Sequence, residues 1–253
     1  MRVVSVIVAI VLALFSFVNC DAQVKSYKAV PVREYPHDVT SYTQGLFFHE
    51  GQMYESTGLQ GKSTFRKVEI STGEPLRKLD FAKQYFVEGS VTIGDNLYIL
   101  TWHNRVAFVY DINTFEYKST WTYQREGWGL TTDGKSLIAS DGSANLYFMT
   151  PDFKPVRQVT VKLQGRPMRF LNELEYIDGK IWANVYVSDI ILIINPSDGK
   201  VEATIDCSGL LPKNLRTAET DVLNGIAYNP DAKKIYLTGK NWPRLYEVRL
   251  EEK

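Results

Sequence analysis

Cysteine, histidine and net charge are the scarce quantities in this chain. Of its 253 residues, two are cysteine and three are histidine, and 29 basic side chains balance 29 acidic ones. Each shortage removes a class of function. Cys207 is the one cysteine certain to belong to the folded part, so no disulfide can form unless Cys20 is retained and pairs with it. His37, His49 and His103 stand apart, without the close spacing of a zinc site. Zero formal charge, with no basic block, argues against nucleic acid or an anionic membrane surface as partner. A Gly-rich phosphate loop and a G-x-S-x-G elbow are both missing, and Cys207 has no histidine near it in sequence. Carboxylate, amide, lysine and indole are what remain for chemistry.

Only one long apolar run is present. Met1-Arg2 is followed by Val3 to Val18 without a charge, a basic n-region and h-region of secretory length. Residues 1–22 therefore read as a signal peptide, leaving 23–253 as one domain with no transmembrane span. Cys20-Asp21-Ala22 ahead of Gln23 offers the small residues that a signal peptidase prefers. Lipidation of Cys20 is the competing route, although Phe17-Val18-Asn19 is a poor match to the small residues usual before such a cysteine. Either route predicts an exported protein, periplasmic or secreted, with a lipid anchor only in the second case. A mature chain of about 230 residues buries roughly 70–75% of its surface, enough core without disulfides.

Strand signals dominate that domain. Leu97–Thr101, Val106–Tyr110, Ser136–Ser140, Lys180–Val185, Ile190–Ile194 and Lys234–Thr238 are short, β-branched or aromatic, and bounded by turns. Gly94-Asp95-Asn96, Asp133-Gly134, Asp178-Gly179 and Pro230-Asp231 supply the residues that tight hairpins demand. No amphipathic helix of three turns is visible, and Cys207 to Val222 reads as a loop insertion. Val24 to Val32 is expected to supply a missing outer strand to the C-terminal strands, which end near Leu250.

A short element recurs along the chain: Gln44-Gly45-Leu46, Glu88-Gly89-Ser90, Trp128-Gly129-Leu130, Asn172-Glu173-Leu174 and Asn224-Gly225-Ile226. The copies are spaced about 40 to 50 residues apart, the length of one four-stranded blade. The expected architecture is all-β, a five-bladed β-propeller. A ring of blades brings equivalent positions to one rim, so Gln44, Glu88, Trp128, Asn172 and Asn224 should face one another. The following strands should end near the same rim, contributing Glu55, Trp102, Asp141, Tyr186 and Lys240. Each residue also has an ordinary reading. Glu88 could be a turn acid, Trp102 and Trp128 packing residues, Asn172 and Asn224 turn caps, Lys240 a surface lysine, and Asp141 and Gln44 turn residues. Trp182, mid-strand in an apolar run, reads as core. It is convergence in one cleft that favours function.

The motifs around these positions are Tyr42-Thr-Gln-Gly-Leu46, Tyr85-Phe-Val-Glu-Gly89, Leu100-Thr-Trp102, Glu126-Gly-Trp-Gly-Leu130, Leu171-Asn-Glu-Leu-Glu175, Ile181-Trp-Ala-Asn-Val185, Leu223-Asn-Gly-Ile226 and Thr238-Gly-Lys-Asn-Trp-Pro243. In order and spacing they resemble the plant-type glutaminyl-peptide cyclotransferases, from about Tyr35 to Leu250. The resemblance implies a five-bladed propeller that converts N-terminal glutaminyl residues to pyroglutamate and releases ammonia, without a catalytic metal. It implies Glu88 as acid/base, with Lys240 and Asn172 also catalytic. Gln44, Phe86, Trp102 and Trp128 match pocket residues. Two departures stand out: Ser90-Val91 follows Glu-Gly where an aliphatic-Thr pair is usual, and Tyr186 stands where tryptophan is common.

The chemistry fits these residue types. The α-amine must attack the γ-carboxamide carbon of its own residue, so the side chain must be held curled. Flat walls such as Phe86, Trp102, Trp128 and Tyr186 suit that task. Glu88 can carry the proton from amine to leaving group. Lys240 and Asn172 can donate to the oxyanion, and Gln44 or Asn224 can orient the amine. No metal or cofactor is required; the partners are peptides or proteins beginning with glutamine, and a monomer is expected. Two rivals remain open at this level. A calcium-dependent lactonase-like propeller would use Glu88, Asn172 and Asn224 as oxygen ligands, with the Lys240 ammonium opposing the ion. A non-catalytic exported scaffold would be indifferent to Glu88→Gln. Chelation separates the first rival: lactonase activity would vanish with EDTA and return with calcium.

Overall fold

A computed structural model describes residues 23–253. The expected signal peptide, residues 1–22 with Cys20, lies outside them. The described chain is all-β, and its one helical element is a single 3-10 turn, Lys213–Leu215, inside the expected loop insertion. Strands pair with their sequence neighbours, as short β-branched runs joined by tight turns should. Thr43–His49, Gln52–Thr57, Thr64–Val68 and Pro75–Asp80 form one four-stranded sheet. Val87–Ile93, Asn96–Thr101, Val106–Asp111 and Tyr117–Thr122 form the next, and Leu130–Thr132, Leu137–Ala139, Asn145–Met149 and Pro155–Thr160 a third. At Asp178-Gly179 both turn residues have positive φ (48° and 78°), the backbone that a two-residue hairpin requires.

The remaining long strands make one eight-stranded sheet. Its first half runs from Leu171–Ile177 through Lys180–Val185 and Ile190–Ile194 to Val201–Asp206. Its second half holds Lys25–Pro36, Arg244–Glu252, Lys234–Gly239 and Leu223–Asn229. The N-terminal strand therefore pairs antiparallel with the last strand, Ala29 opposite Leu250, as expected. It runs further than Val32 because the ladder bulges between Pro31 and Arg33 and then continues to Pro36; Pro31 has no N–H to extend the regular ladder. The same strand also pairs in parallel with Val201–Asp206, Lys25 opposite Ala203, a seam that the sequence did not announce. Covering both outer edges removes two open templates for aggregation.

The innermost strands touch in a cycle. Thr43–His49 contacts Val87–Ile93, which contacts Leu130–Thr132, then Leu171–Ile177, then Leu223–Asn229, which returns to Thr43–His49. Hydrophobic clusters fill the wedges between successive sheets. Phe47 and Phe65 pack with Leu97 and Phe108; Tyr98 and Leu100 with Leu137 and Met149; Leu146 and Phe148 with Leu192. Trp182 and Ile191 then pack with Leu237 and Tyr246, and Leu46 and Met53 with Tyr236 and Leu245. Trp182 is thus core, as its run of neighbours suggested. The layout is propeller-like.

Glycine is what lets the cycle close. A Cβ on Gly45 would stand 2.7 Å from the Ser90 amide nitrogen, and at Gly89 and Gly129 it would press still closer on backbone atoms of Leu130 and Asn172. Gly129→Ala should therefore destabilise by about 1–3 kcal/mol or prevent folding. Thermal or denaturant melting checks this; a wild-type midpoint would contradict it.

Candidate active site

The recurring elements owe their reach to a backbone defect. Ladder register shifts between Thr43 and Gly45, between Val87 and Ser90, between Leu171 and Leu174, and between Leu223 and Ile226. Each bulge frees the intervening residues from regular pairing and re-aims their side chains. Those residues include Gln44, Glu88, Asn172 and Asn224. Trp128 precedes its strand and is held by its N–H to the Ser140 carbonyl, 3.2 Å.

A cavity of about 120 Å³ results, lined by Tyr42, Gln44, Glu88, Trp102, Trp128, Asn172, Tyr186 and Lys240. Two predicted residues stand behind its wall. Phe86 meets Trp102 edge-on at 5.4 Å and Tyr42 at 6.3 Å between ring centroids. Asn224 donates from Nδ2 to the Thr43 carbonyl at 2.9 Å and to Gln44 Oε1 at 3.4 Å, so it fixes the Gln44 amide. Gln44 in turn donates from Nε2 to Glu88 Oε1 at 3.4 Å.

Glu55 and Asp141 do not reach the rim position expected of them. Glu55 is buried in its own polar cluster, accepting from Thr43 Oγ1 at 2.7 Å and Ser41 Oγ at 3.1 Å, with His37 Nε2 at 3.0 Å. His37 also meets the Trp242 carbonyl at 2.7 Å, so this cluster braces the turn that carries Lys240 from behind. Burial pushes the His37 pKa down, but the charge and hydrogen bond of Glu55 outweigh it and the net shift is upward. Asp141 accepts the Ser143 N–H at 3.0 Å, the ordinary turn role.

Glu88 and Lys240 are both buried, at 5% and 4% exposure. Burial raises the Glu88 pKa well above the usual carboxylate value; Lys240 pulls it back and Glu126 adds to the rise. Burial lowers the Lys240 pKa, opposed by Glu88 and Asp221. The Lys240 Nζ stands 4.7 Å from the Tyr42 ring centroid and 5.2 Å from that of Tyr186, which favour its cationic form through their π faces. Asn172 Oδ1 is buried without a hydrogen-bond partner among the described residues.

Three contributors escaped the sequence reading. Tyr42 lines the cavity and donates its hydroxyl to Asp221 Oδ2 at 2.8 Å. Glu126 Oε2 accepts from Trp102 Nε1 at 2.9 Å and Trp128 Nε1 at 3.3 Å, locking two indoles together. Tyr42 and Glu126 each stand two positions before a singled-out residue, a signal that was available. Asp221 lies in the insertion and had no local mark.

A model of the glutamine cyclotransferase family matches residues 4–250. The chain belongs to that family. It is 42% identical over 228 residues to the glutaminyl-peptide cyclotransferase of Arabidopsis thaliana, covering 87% of this chain and 71% of that one. It is 38% identical to a Myxococcus xanthus glutaminyl cyclase whose crystal structure superposes with a TM-score of 0.85, over 91% of this chain and all (100%) of the other.

Beyond the cavity, this cyclotransferase fold carries two more buried carboxylates on the strand of Asn172. Glu173 accepts the Ile226 N–H at 2.9 Å and the Leu46 N–H at 3.4 Å, and Glu175 the Tyr228 N–H at 3.1 Å. Burial raises the Glu175 pKa to about 8, against the stabilising backbone N–H groups. A carboxyl whose folded pKa is raised adds stability below its ordinary value and loses it as pH climbs through the folded one. Wild type should therefore lose melting temperature relative to Glu175→Gln between pH 5 and about pH 8. Parallel curves for the two proteins would refute this.

Proposed function

We propose that this chain is a five-bladed β-propeller glutaminyl-peptide cyclotransferase in which Glu88, Lys240 and Asn172 carry the reaction. The activity is that of the family; the residue roles are inferred from the geometry of the site. One observation carries them: a buried carboxyl and a buried amine share an aromatic-walled cavity of about 120 Å³ with the Asn172 amide. Residues 23–253 would form the single catalytic domain of an exported, monomeric enzyme whose substrates are N-termini beginning with glutamine.

The substrate side chain curls between Trp102, Trp128 and Tyr186, bringing its α-nitrogen to the γ-carboxamide carbon. The α-ammonium group has a pKa of about 7.7–8.0. A Glu88 carboxylate with a raised pKa takes its proton at little cost, which a normal carboxylate would not. The neutral amine attacks, the C–N bond of the ring forms, and the carbonyl π pair moves to oxygen. Lys240 and the Asn172 amide donate to that oxyanion. Glu88 then returns the proton to the amide nitrogen, the old C–N bond breaks, and ammonia leaves as the lactam carbonyl reforms. The freed Glu88 carboxylate takes the second proton from the ring nitrogen and passes it to the departing ammonia, which leaves as ammonium. Gln44, held by Asn224, fixes the Glu88 carboxylate throughout.

Ammonia release from a Gln-initiated peptide tests this directly. Glu88→Gln should lower kcat by about 10²–10⁴-fold, and Lys240→Ala by about 10²–10³-fold, with both proteins folded. No turnover by wild type, or full activity in both variants, would sink the assignment. The pH profile supplies a second check. Glu88 must be ionised in the free enzyme, so kcat/KM should fall as pH drops through its raised pKa, well above the ordinary carboxylate range. An acid limb near the ordinary value of 4.5 would contradict the proton-transfer role.

A further inference from the structure

The geometry points to a second, external part of the substrate site: the groove beside the cavity receives the peptide residues after glutamine and favours a basic side chain among them. This rests on the cyclotransferase reading. The cavity, at about 120 Å³, takes the terminal residue, so the rest of a peptide must lie outside. A groove of about 440 Å³ adjoins it, with Val187, Asp189, Arg216, Thr220 and Asp221 in its walls. Cavity and groove share structure. Tyr186 walls the first and Val187 the second; Asp221 accepts from the cavity's Tyr42 at 2.8 Å and donates its N–H to the Lys240 carbonyl at 3.0 Å.

Val187 supplies an independent mark. It is a β-branched residue at φ 60°, a conformation such residues rarely adopt, and it is 69% exposed. The turn is over-determined around it: Tyr186 donates to the Phe170 carbonyl at 2.8 Å and Ser188 to the Val185 carbonyl at 3.1 Å. An apolar side chain held outward in a strained turn at the mouth of a site is a contact surface for something laid across it. The occupant on hand is the extended chain of the substrate.

Charge gives the preference. Asp189 and Asp221 face the groove against one guanidinium, Arg216, whose Cζ lies 5.8 Å from the Trp242 ring centroid. Asp221 is engaged by Tyr42 and by the Val222 N–H at 2.8 Å, so Asp189 is the carboxylate that addresses the ligand. A solvent-facing pairing of this kind changes affinity about two- to fivefold and weakens with salt.

The test compares kcat/KM for glutaminamide, Gln-Ala-Ala-amide, Gln-Lys-Ala-amide and Gln-Glu-Ala-amide. Tripeptides should exceed glutaminamide, and the lysine peptide should exceed the glutamate peptide about two- to fivefold at low salt. Asp189→Asn should bring that ratio to one. Val187→Gly, which suits the positive φ, should keep or raise the melting temperature yet raise KM for tripeptides relative to glutaminamide, with kcat ratios unmoved. Equal kcat/KM for all four wild-type substrates, or a lysine-to-glutamate ratio that survives Asp189→Asn, would overturn the groove. Wild type inactive on glutaminamide and peptides alike would instead sink the cyclotransferase reading, and the groove with it.

Discussion

The close approach of successive inner strands at the axis is the constraint on which the rest of this molecule depends. Gly45 packs on Ser90, Gly89 on Leu130, and Gly129 on the carbonyl of Asn172, with no room for a Cβ at any of them. Hydroxyls and amides complete the contacts. Ser56 donates to the Glu88 carbonyl and Ser140 to that of Asn172, each at 2.7 Å, and Asn184 Oδ1 accepts the Gly225 N–H at 3.0 Å. The fourth copy breaks the pattern with a side chain in place of glycine. Glu173 fills that position, and its two oxygens reach one neighbouring inner strand at the Ile226 N–H and, across the axis, the strand of Leu46.

The same closeness sets the electrostatics. Drawing strands together at the axis removes water from whatever the bulges point inward, and desolvation penalises the charged form. Glu88, Glu173 and Glu175 are all raised by burial, and Lys240 is lowered by it. Glu173 and Glu175 differ from Glu88 in what they touch. Their oxygens take backbone N–H groups of the fold, so their work is structural. Glu88 has one long contact, from Gln44, and faces the cavity. A buried carboxyl whose acceptor capacity is spent on the backbone holds the ring, whereas one left facing a cavity can exchange a proton. Folding constraint and catalytic tuning have one cause.

How much of this was legible follows from the same geometry. The repeat announced the rim, because the bulges at four copies and the glycine after the lead residue at four of the five leave a mark in sequence. Cavity residues Gln44, Glu88, Trp128 and Asn172 came from that mark, and Trp102, Tyr186 and Lys240 from the following strand. Phe86 and Asn224 were grouped with them but stand one layer back. Gly58, not Glu55, holds the position equivalent to Trp102: its N–H meets the Tyr42 carbonyl as that of Trp102 meets the Phe86 carbonyl, and Glu55, three residues earlier in the strand, lies in the cluster of His37 and Thr43. Partners distant in sequence decide other cases, and spacing cannot reveal them. Asp221 and the parallel seam at Lys25 are of that kind. Tyr42 and Glu126 are different: each lies only two residues before a rim position, so the rim motifs already carried them.

Tyr186 shows why departures from the family pattern need geometry to interpret. Its ring meets Trp128 edge-on at 5.7 Å and stands beside the Lys240 ammonium together with Tyr42. A buried lysine balanced only by Glu88 would form a tight ion pair, spending both groups on each other. Two aromatic faces share the work of stabilising the cation, and Asp221 adds charge from behind Tyr42. In the proposed mechanism the ammonium thereby keeps its N–H donors for an oxygen that carries charge only during the reaction, and Glu88 keeps its oxygens for the amine. The Tyr186 ring supplies one of those faces where tryptophan is common in the family, and the next residue, Val187, begins the outer groove.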